Sequence, residues 1–333
     1  MNVRRRMITV VSAYAVFAAA VMVWAPTVGS TDISLSKAFD RSIPWDQNVD
    51  AQIFFVARLP RVLSGAIVGA SLASAGVVLQ AMLRNPLATP FTLGVSAGAA
   101  LGAMIAIAIG LDLGAMGVSS VPIASFAGSL VAIAIVYFLA SSQKRGLSTN
   151  VLLLAGVTLN SFFSALILFV QYMADFTQSF RAVRWLMGDL DVGSYSPILA
   201  AIPFIVAAFA VFAILPRTLN LLTMGENVAA ARGVEVIRAQ RWAFLSASLA
   251  TGAAVSLGGP IGFIGIVVPH LVRLMVGSDH RIVLPAATLF GAAFTVLCDL
   301  TARTIMAPME LPVGIITALI GGPFFLWLLV KKS

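Results

Sequence analysis

The segment PRVLSGAIVGASLASAGVVLQAM, residues 60–82, carries a single charged side chain, Arg61, among its 23 residues. A run of this length crosses about 30 Å of hydrocarbon as an α-helix. Its apolar residues are continuous rather than alternating, which is typical of a membrane helix and argues against a strand of a membrane β-barrel. Similar runs follow along the chain, and we therefore predict an all-α polytopic membrane protein.

The composition of the whole chain supports this prediction. Of the 333 residues, 60% are hydrophobic and 10% are charged, and the mean hydropathy is +1.00. A soluble domain of this size needs more polar residues to cover its surface. The net charge of +8 does not indicate nucleic-acid binding, because the Lys and Arg residues lie between apolar runs and form no basic stripe.

Ten membrane spans are predicted within one transmembrane domain, residues 1–333. They cover about residues 7–25, 60–82, 92–110, 121–141, 150–172, 197–215, 241–258, 262–276, 283–300 and 311–330. With the N-terminus inside, fourteen Lys and Arg residues fall in inner segments and seven in outer segments. Because positive residues accumulate on the cytoplasmic side, we expect both termini in the cytoplasm. The first run also fits a secretory signal peptide, but Trp24-Ala25-Pro26 is a poor cleavage site.

The inner loop between the sixth and seventh spans, about residues 217–240, is predicted to contain a short helix. Thr223 and Glu226 fit a capping box at its start, and Gly233 is placed to end it in the left-handed conformation. A short helix capped at both ends favours contact with a protein partner. The alternative is a helix lying on lipid headgroups.

Small residues recur at four-residue spacing in three of the spans. One face contains Gly65, Gly69 and Ala73, a second contains Gly94, Gly98 and Gly102, and a third contains Gly314, Ala318 and Gly322. Such faces allow helix backbones to approach closely.

The sequence contains no motif for binding a nucleotide and no cluster typical of a metal or catalytic site. GxxxxGK[ST] and a dinucleotide glycine fingerprint are absent, so we expect no cofactor bound by this chain and no enzymatic activity of its own. No spaced series of acidic residues indicates a proton relay. This argues against an ion-coupled secondary transporter acting alone, which is kept as the alternative function.

Arg58 and Arg61 lie at the outer entrance to the second span, three residues apart and so on one helix face. Positive charge in an outer segment is contrary to the usual accumulation of Lys and Arg on the cytoplasmic side. Two readings are open, lipid phosphate binding and an acidic docking partner. Asp299 precedes Arg303 by four residues, which predicts an ion pair on one helix.

Five stretches, in order from about residue 55 onward, resemble the permeases of iron-chelate and vitamin B12 ABC importers. They are RLPR (58–61), GASLASAGVVLQAMLRNPLATPFTLGVSAGA (69–99), LLLAGVTLN (152–160), GGPIGFIGIVVPHLVR (258–273) and LPVGIITALIGGPFFLWLL (311–329). The resemblance implies a type II ABC importer permease in the bacterial cytoplasmic (inner) membrane. It also implies a second permease copy or paralogue, two ATPase subunits that use ATP, and an extracytoplasmic substrate-binding protein.

The resemblance further implies roles for individual residues. Arg58, Arg61 and Arg303 are similar to arginines that dock the binding protein. The inner loop is similar to the helices that couple the permease to its ATPase, and the residues assigned to this coupling are Leu222, Thr223, Gly225, Glu226, Ala230, Arg232 and Gly233. Asn85, Leu87, Thr149 and Asn150 are similar to positions that narrow the cytoplasmic gate, although Asn150 departs from the small hydroxyl residue of the cobalamin-type relatives. The expected cargo is a metal chelate, with a ferric siderophore favoured over haem or cobalamin.

Overall fold

The structure is a computed structural model that describes residues 3–110, 120–141 and 149–332. In these ranges every regular element is a helix. A helix coincides with each of the ten predicted spans. These helices are α1 (Val3–Trp24), α4 (Leu59–Leu83), α5 (Val95–Ala108), α6 (Ser120–Ser141), α7 (Thr149–Met173), α9 (Ser196–Ile214), α12 (Val236–Gly258), α13 (Ile264–Val276), α14 (His280–Thr304) and α15 (Val313–Lys332).

Shorter helices lie in the connections. They are α2 (Leu35–Ala38), α3 (Val49–Gln52), α8 (Phe176–Leu186), α10 (Pro216–Leu222) and α11 (Glu226–Ala231). The sequence prediction missed α8, although its signal is present: Asp175 accepts from the backbone N–H of Gln178 at 2.8 Å, and the Gln178 side chain accepts from the Asp175 N–H at 3.0 Å. This capping box starts an amphipathic helix.

Six of the described helices are long and apolar enough to cross a membrane by length and composition: α1, the continuous helix that ends with α4, α6, α7, α9 and α14. The helices α5, α13 and α15 carry shorter apolar stretches. The seventh predicted span is part of the 23-residue helix α12, which begins five residues earlier, at Val236, and has Arg238 and Arg241 in its first two turns.

The centre of the bundle is α4, which packs against α12, α13 and α14 and is buried along nearly its whole length. Glycines allow these close approaches. A Cβ added at Gly69 would overlap the carbonyl oxygen of Gly291 in α14, and one at Gly76 would overlap the carbonyl oxygen of Gly265 in α13. Between α5 and α6, a Cβ at Gly98 would lie 2.6 Å from the carbonyl oxygen of Gly128.

Two of the predicted small-residue faces are therefore packing faces, but the third is only partly so. In α15 a Cβ at Gly314 would overlap the carbonyl oxygen of Met187, whereas one at Gly322 would meet no described atom within 4 Å. The Gly322 part of the third face makes no such close contact among the described residues, and its role in helix packing stays a prediction.

Charged side chains of segments that are predicted to lie on the same side of the membrane contact each other in the structure. Arg84 contacts Glu226 at one end of the bundle, and Arg61 contacts Glu310 at the other. The relative placement of the loops therefore agrees with the predicted topology, while the end that faces the cytoplasm stays a prediction.

Candidate functional site

The outer arginine cluster, which we define as Arg58, Arg61 and Arg303, joins residues far apart in sequence. Arg58 ends a π-helical turn, Ile53–Arg58, that leads directly into α4. Arg61 lies in the first turn of α4, and Arg303 lies in the last turn of α14. Because α4 and α14 pack together along their lengths, these ends bring the three predicted arginines to one place.

Two arginines of the cluster bind backbone carbonyls just beyond α1. Arg58 donates from Nη1 to the carbonyl oxygen of Pro26 at 3.2 Å and from Nη2 to that of Thr31. Arg303 donates from Nη2 to the carbonyl oxygen of Ala25 at 2.6 Å. Carbonyls at a helix C-terminus lack intrahelical donors and carry partial negative charge. The arginines therefore tie the end of α1 to α4 and α14.

A close approach of the backbone accompanies this contact. A Cβ added at Gly29 would lie 2.6 Å from Nη2 and 2.7 Å from Cζ of Arg58. A larger residue at position 29 would therefore displace the guanidinium group of Arg58.

The third arginine, Arg61, is held by two acidic side chains. Its Nε lies 3.0 and 3.1 Å from the two carboxylate oxygens of Asp299, and its Nη1 donates to Glu310 Oε2 at 2.6 Å. The predicted pair of Asp299 and Arg303 is confirmed, with 3.8 Å between Oδ2 and Nε. The shorter contact of Asp299 is nevertheless with Arg61.

The three arginines are buried in the chain, with exposed fractions of 5% for Arg58, 8% for Arg61 and 3% for Arg303. Their guanidinium groups do not project from the surface, whereas those of a simple docking patch would. They line the wall of a small polar cavity of about 180 Å³ together with Asp191 and Glu310. A docking role would therefore require a partner side chain to enter this cavity, and the docking assignment stays a prediction.

The predicted coupling region forms two short helices, α10 and α11, at the opposite end of the bundle. The surface of α11 and its flanks is exposed, with Thr223, Ala230, Arg232 and Gly233 open to solvent. Leu222 is 1% exposed. It packs into the core and anchors the loop rather than contributing to the exposed surface.

The predicted start of the inner helix is wrong and its predicted end is confirmed. Thr223 is the C-cap residue of α10, where its hydroxyl donates to the carbonyl oxygen of Asn220 at 2.9 Å, and it does not cap α11. The next helix begins at Glu226 after Gly225, whose φ of +114° is outside the helical range. At the other end Gly233 has a φ of +83°, and the N–H of Val234 donates to the carbonyl oxygen of Ala229 at 3.0 Å, as in a Schellman ending.

Instead of capping its own helix, Glu226 connects the inner loop to two spans. Its Oε1 accepts from Nη2 of Arg84, at the end of α4, at 3.1 Å. The same oxygen accepts from Nε2 of Gln240, in α12, at 3.1 Å. Arg84 has a left-handed backbone with φ of +51°, which is uncommon for a residue with a side chain. The Thr-x-x-Glu pattern masked this role, which depends on Arg84, 142 positions away, and on Gln240, 14 positions away.

A second connection joins α10 to the start of α14. Asn220 donates from Nδ2 to Asp279 Oδ1 at 2.7 Å, and its Oδ1 accepts from the backbone N–H of His280 at 2.9 Å. Asp279 also binds Arg281. The hydrogen bond from Arg281, and after it the one from Asn220, hold the pKa of the Asp279 carboxyl well below its usual range. Both ends of the inner loop are thus fixed to spans of the bundle.

The predicted gate residues lie at the same end. Asn85 Oδ1 accepts from the N–H of Leu87 at 2.9 Å, and the Ala88 N–H donates to the carbonyl oxygen of Asn85 at 3.1 Å, which is a turn stabilised by the asparagine side chain. Leu87 is half exposed and Asn150 is exposed at the start of α7. The Thr149 side chain lies outside the described part of the structure. The gate assignment stays a prediction.

Comparison with known proteins places both sites in a family context. Residues 16–331 match the FecCD transport family. The cobalamin import system permease protein BtuC of Halobacterium salinarum is 46% identical over 277 residues, which cover 83% of this chain and 73% of the relative. The Fe(3+)-citrate import system permease protein YfmD of Bacillus subtilis is 38% identical over 306 residues, 92% and 89% of the two chains.

A solved structure is also similar over the whole length. It is an inward-facing conformation of a metal-chelate type ABC transporter, with a TM-score of 0.83 and 32% sequence identity. The match covers 98% of this chain and 99% of that one.

Proposed function

Since this chain belongs to the FecCD transport family, and is thus a permease subunit of an ABC importer of the iron-chelate, haem or vitamin B12 type, we propose that it carries a ferric siderophore. The match of residues 16–331, which includes both the outer arginine cluster and the inner loop, supports the permease function and does not distinguish the cargo. The relative that imports ferric citrate favours a ferric chelate. Haem and cobalamin are the competing cargoes, and all three would cross the membrane whole.

The outer arginine cluster is proposed to receive the substrate-binding protein. Its cavity of about 180 Å³ is lined by the three arginines and by Asp191 and Glu310. A carboxylate of the binding protein would enter this cavity and pair with arginines already held in place by the end of α1. Complementary charge of this kind sets the register of docking.

The inner loop is proposed to couple the chain to a separate ATPase. The exposed surface of α11 would contact the ATPase, while Glu226 and Asn220 hold the loop to α4, α12 and α14. Movement of the ATPase would then tilt the spans rather than only bend the loop. Two permease copies with both termini in the cytoplasm would form the pathway between them, and Asn85, Leu87, Thr149 and Asn150 would narrow its inner mouth.

We expect a loaded binding protein to stimulate ATP hydrolysis when the chain is reconstituted with its ATPase in lipid nanodiscs. Arg58→Gln should raise the binding-protein concentration needed for half-maximal stimulation by about tenfold, which corresponds to one lost charge contact. Arg58 suits this test because its hydrogen bonds go to backbone carbonyls, so the variant leaves the pair of Arg61 and Asp299 in place. Ferric siderophore, haem and cobalamin binding proteins are compared in parallel.

Arg41→Gln is the matched control, because Arg41 is an exposed arginine in the same outer connection. Stimulation by a haem or cobalamin protein alone would replace the siderophore assignment. Transport without any associated ATPase would contradict the importer function and favour an ion-coupled carrier.

We also expect Glu226→Ala to lower ATPase stimulation and transport while leaving membrane insertion unchanged. The change removes the acceptor of Arg84 and leaves the buried amide of Gln240 without this partner, at a cost of about 1–3 kcal/mol. Arg84→Gln should have a similar effect, and the double variant should be little worse than either single one, because the two residues act through one contact. The measurement is a double-mutant cycle on stimulated ATP hydrolysis.

The control is Glu235→Ala, which removes an acidic side chain from the same loop. Glu235 pairs with Arg238 at 3.6 Å on the exposed surface, and such pairs contribute little. Additive effects of Glu226→Ala and Arg84→Gln would show that the connection between the loop and α4 is not used in coupling.

A further inference from the structure

Glu310 lies in the connection between α14 and α15, outside any helix. It holds Arg61 through one short contact, 2.6 Å from Nη1 to Oε2. The Glu310 side chain is 36% exposed, whereas the Arg61 side chain is 10% exposed. Glu310 is therefore a partly exposed acidic group at the mouth of the cavity.

The other acidic partner of Arg61 is placed very differently. Asp299 lies within α14, contacts Nε through both carboxylate oxygens, and has a side chain that is 3% exposed. It also lies 3.8 Å from Arg303. Removing Asp299 from Arg61 would break a buried ion pair, which is costly. Removing Glu310 would break a half-exposed one, which contributes about 0–1 kcal/mol.

The cavity beside these groups has room for a carboxylate from outside. Its volume of about 180 Å³ equals the share of roughly six water molecules at ~30 Å³ each. Arg58, Arg61 and Arg303 line it, and so do Asp191 and Glu310. The acidic groups of the chain itself thus already balance much of the positive charge that a docking partner would meet.

We infer that Glu310 is an internal competitor for the docking site, which occupies Arg61 in the free permease and gives way to a carboxylate of the binding protein. This inference rests on the docking role proposed above for the outer arginine cluster. Arg61 keeps its contact with Asp299 during this exchange, and one carboxylate replaces another at Nη1. The negative charge of Glu310 also weakens the attraction of the outer arginine cluster for any acidic protein that lacks the geometry to displace Glu310. Glu310 is therefore a specificity residue.

The test compares wild type with Glu310→Gln, which preserves shape and removes the charge. Permease in nanodiscs is titrated with the loaded binding protein that stimulates its ATPase, and the dissociation constant is measured by interferometry at about 50 mM and about 300 mM salt, where screening differs strongly. We expect the variant to bind about fivefold more tightly at low salt, the value of one half-exposed ion pair. The difference should shrink at high salt. Glu310→Ala should tighten binding in the same direction.

Asp46→Asn is the matched control, because Asp46 is an exposed acidic side chain in the outer connection before α4. It removes the same charge and should leave the dissociation constant within about twofold of wild type, because an exposed surface charge contributes little. Unchanged or weaker binding by both Glu310 variants, with Arg58→Gln still weakening it, would overturn the competitor role and leave the docking role standing. Binding that is insensitive to Arg58→Gln as well would overturn both.

Discussion

Replacing Arg61 with glutamate is expected to lower the stability of the folded permease by at least about 3 kcal/mol, the typical cost of breaking a buried ion pair. Arg61 is 8% exposed and holds Asp299 and Glu310 together. A glutamate there would place a third carboxylate beside two others at the junction of α4 and α14. Thermal unfolding in nanodiscs, followed by tryptophan fluorescence, measures the effect.

The exposed Arg41 provides the comparison for this variant. Arg41→Glu reverses the same charge in the outer connection, and a surface change of this kind costs little. An unfolding temperature of Arg61→Glu equal to that of Arg41→Glu would show that the buried contacts of Arg61 do not hold α4 to α14. The same measurement shows whether a loss of docking in any arginine variant comes from a loss of fold.

Gly76→Ala should be the most damaging change of a single methyl group in the bundle. The added Cβ would overlap the carbonyl oxygen of Gly265, so α4 and α13 would have to separate. That oxygen also accepts from Nε2 of Gln80 at 2.9 Å, and Gln80 in turn accepts from Arg273 at 2.5 Å. Overpacking costs about 1–3 kcal/mol, and a broken buried hydrogen bond adds about 1–3 kcal/mol.

Gly65→Ala is the control for Gly76→Ala, since both glycines lie inside α4. At Gly65 the nearest atom to an added Cβ is Cδ1 of Leu190, at 3.3 Å, the end of a flexible side chain. We expect Gly65→Ala to be neutral or slightly stabilising, because alanine favours the helix. Equal unfolding temperatures for the two variants would contradict the close contact of α4 with α13.

The helices at the ten predicted spans could be located from the sequence because each is marked by an apolar run, whereas α8, which has none, was missed. Their ends were harder to place where polar residues continue the helix. Hydropathy places the seventh span at 241, whereas α12 begins at Val236 and carries Arg238 in its first turn. The start of the inner helix could not be predicted from a local pattern. Thr223-x-x-Glu226 is a valid capping pattern, but the helix begins after Gly225, two residues later than the pattern predicts.

Which arginines form the outer arginine cluster could be predicted, but not how their side chains are placed. The spacing of Arg58 and Arg61 indicates one helix face, and the family resemblance adds Arg303. Their burial could not be predicted, because the carbonyls of Ala25 and Pro26 and the carboxylate of Asp299 become their neighbours only when α1 and α14 pack beside α4. No local pattern encodes contacts that span 32 residues, as between Arg58 and Pro26, or more than 200, as between Arg61 and Asp299.

The attachment of α1 has a consequence for how the chain is made. Its polar contacts with the last third of the chain include Arg6 to the carbonyl oxygen of Val276, 270 positions apart, and Arg303 to that of Ala25, 278 positions apart. Between them Tyr14 packs edge-on against Phe290 of α14. At a synthesis rate of about 5–20 residues per second, the first helix waits roughly 14–55 seconds before these partners leave the ribosome. Until then α1 can pack only against earlier parts of the chain, such as Val62 and Ala66 of α4, and the last third of the chain completes its packing.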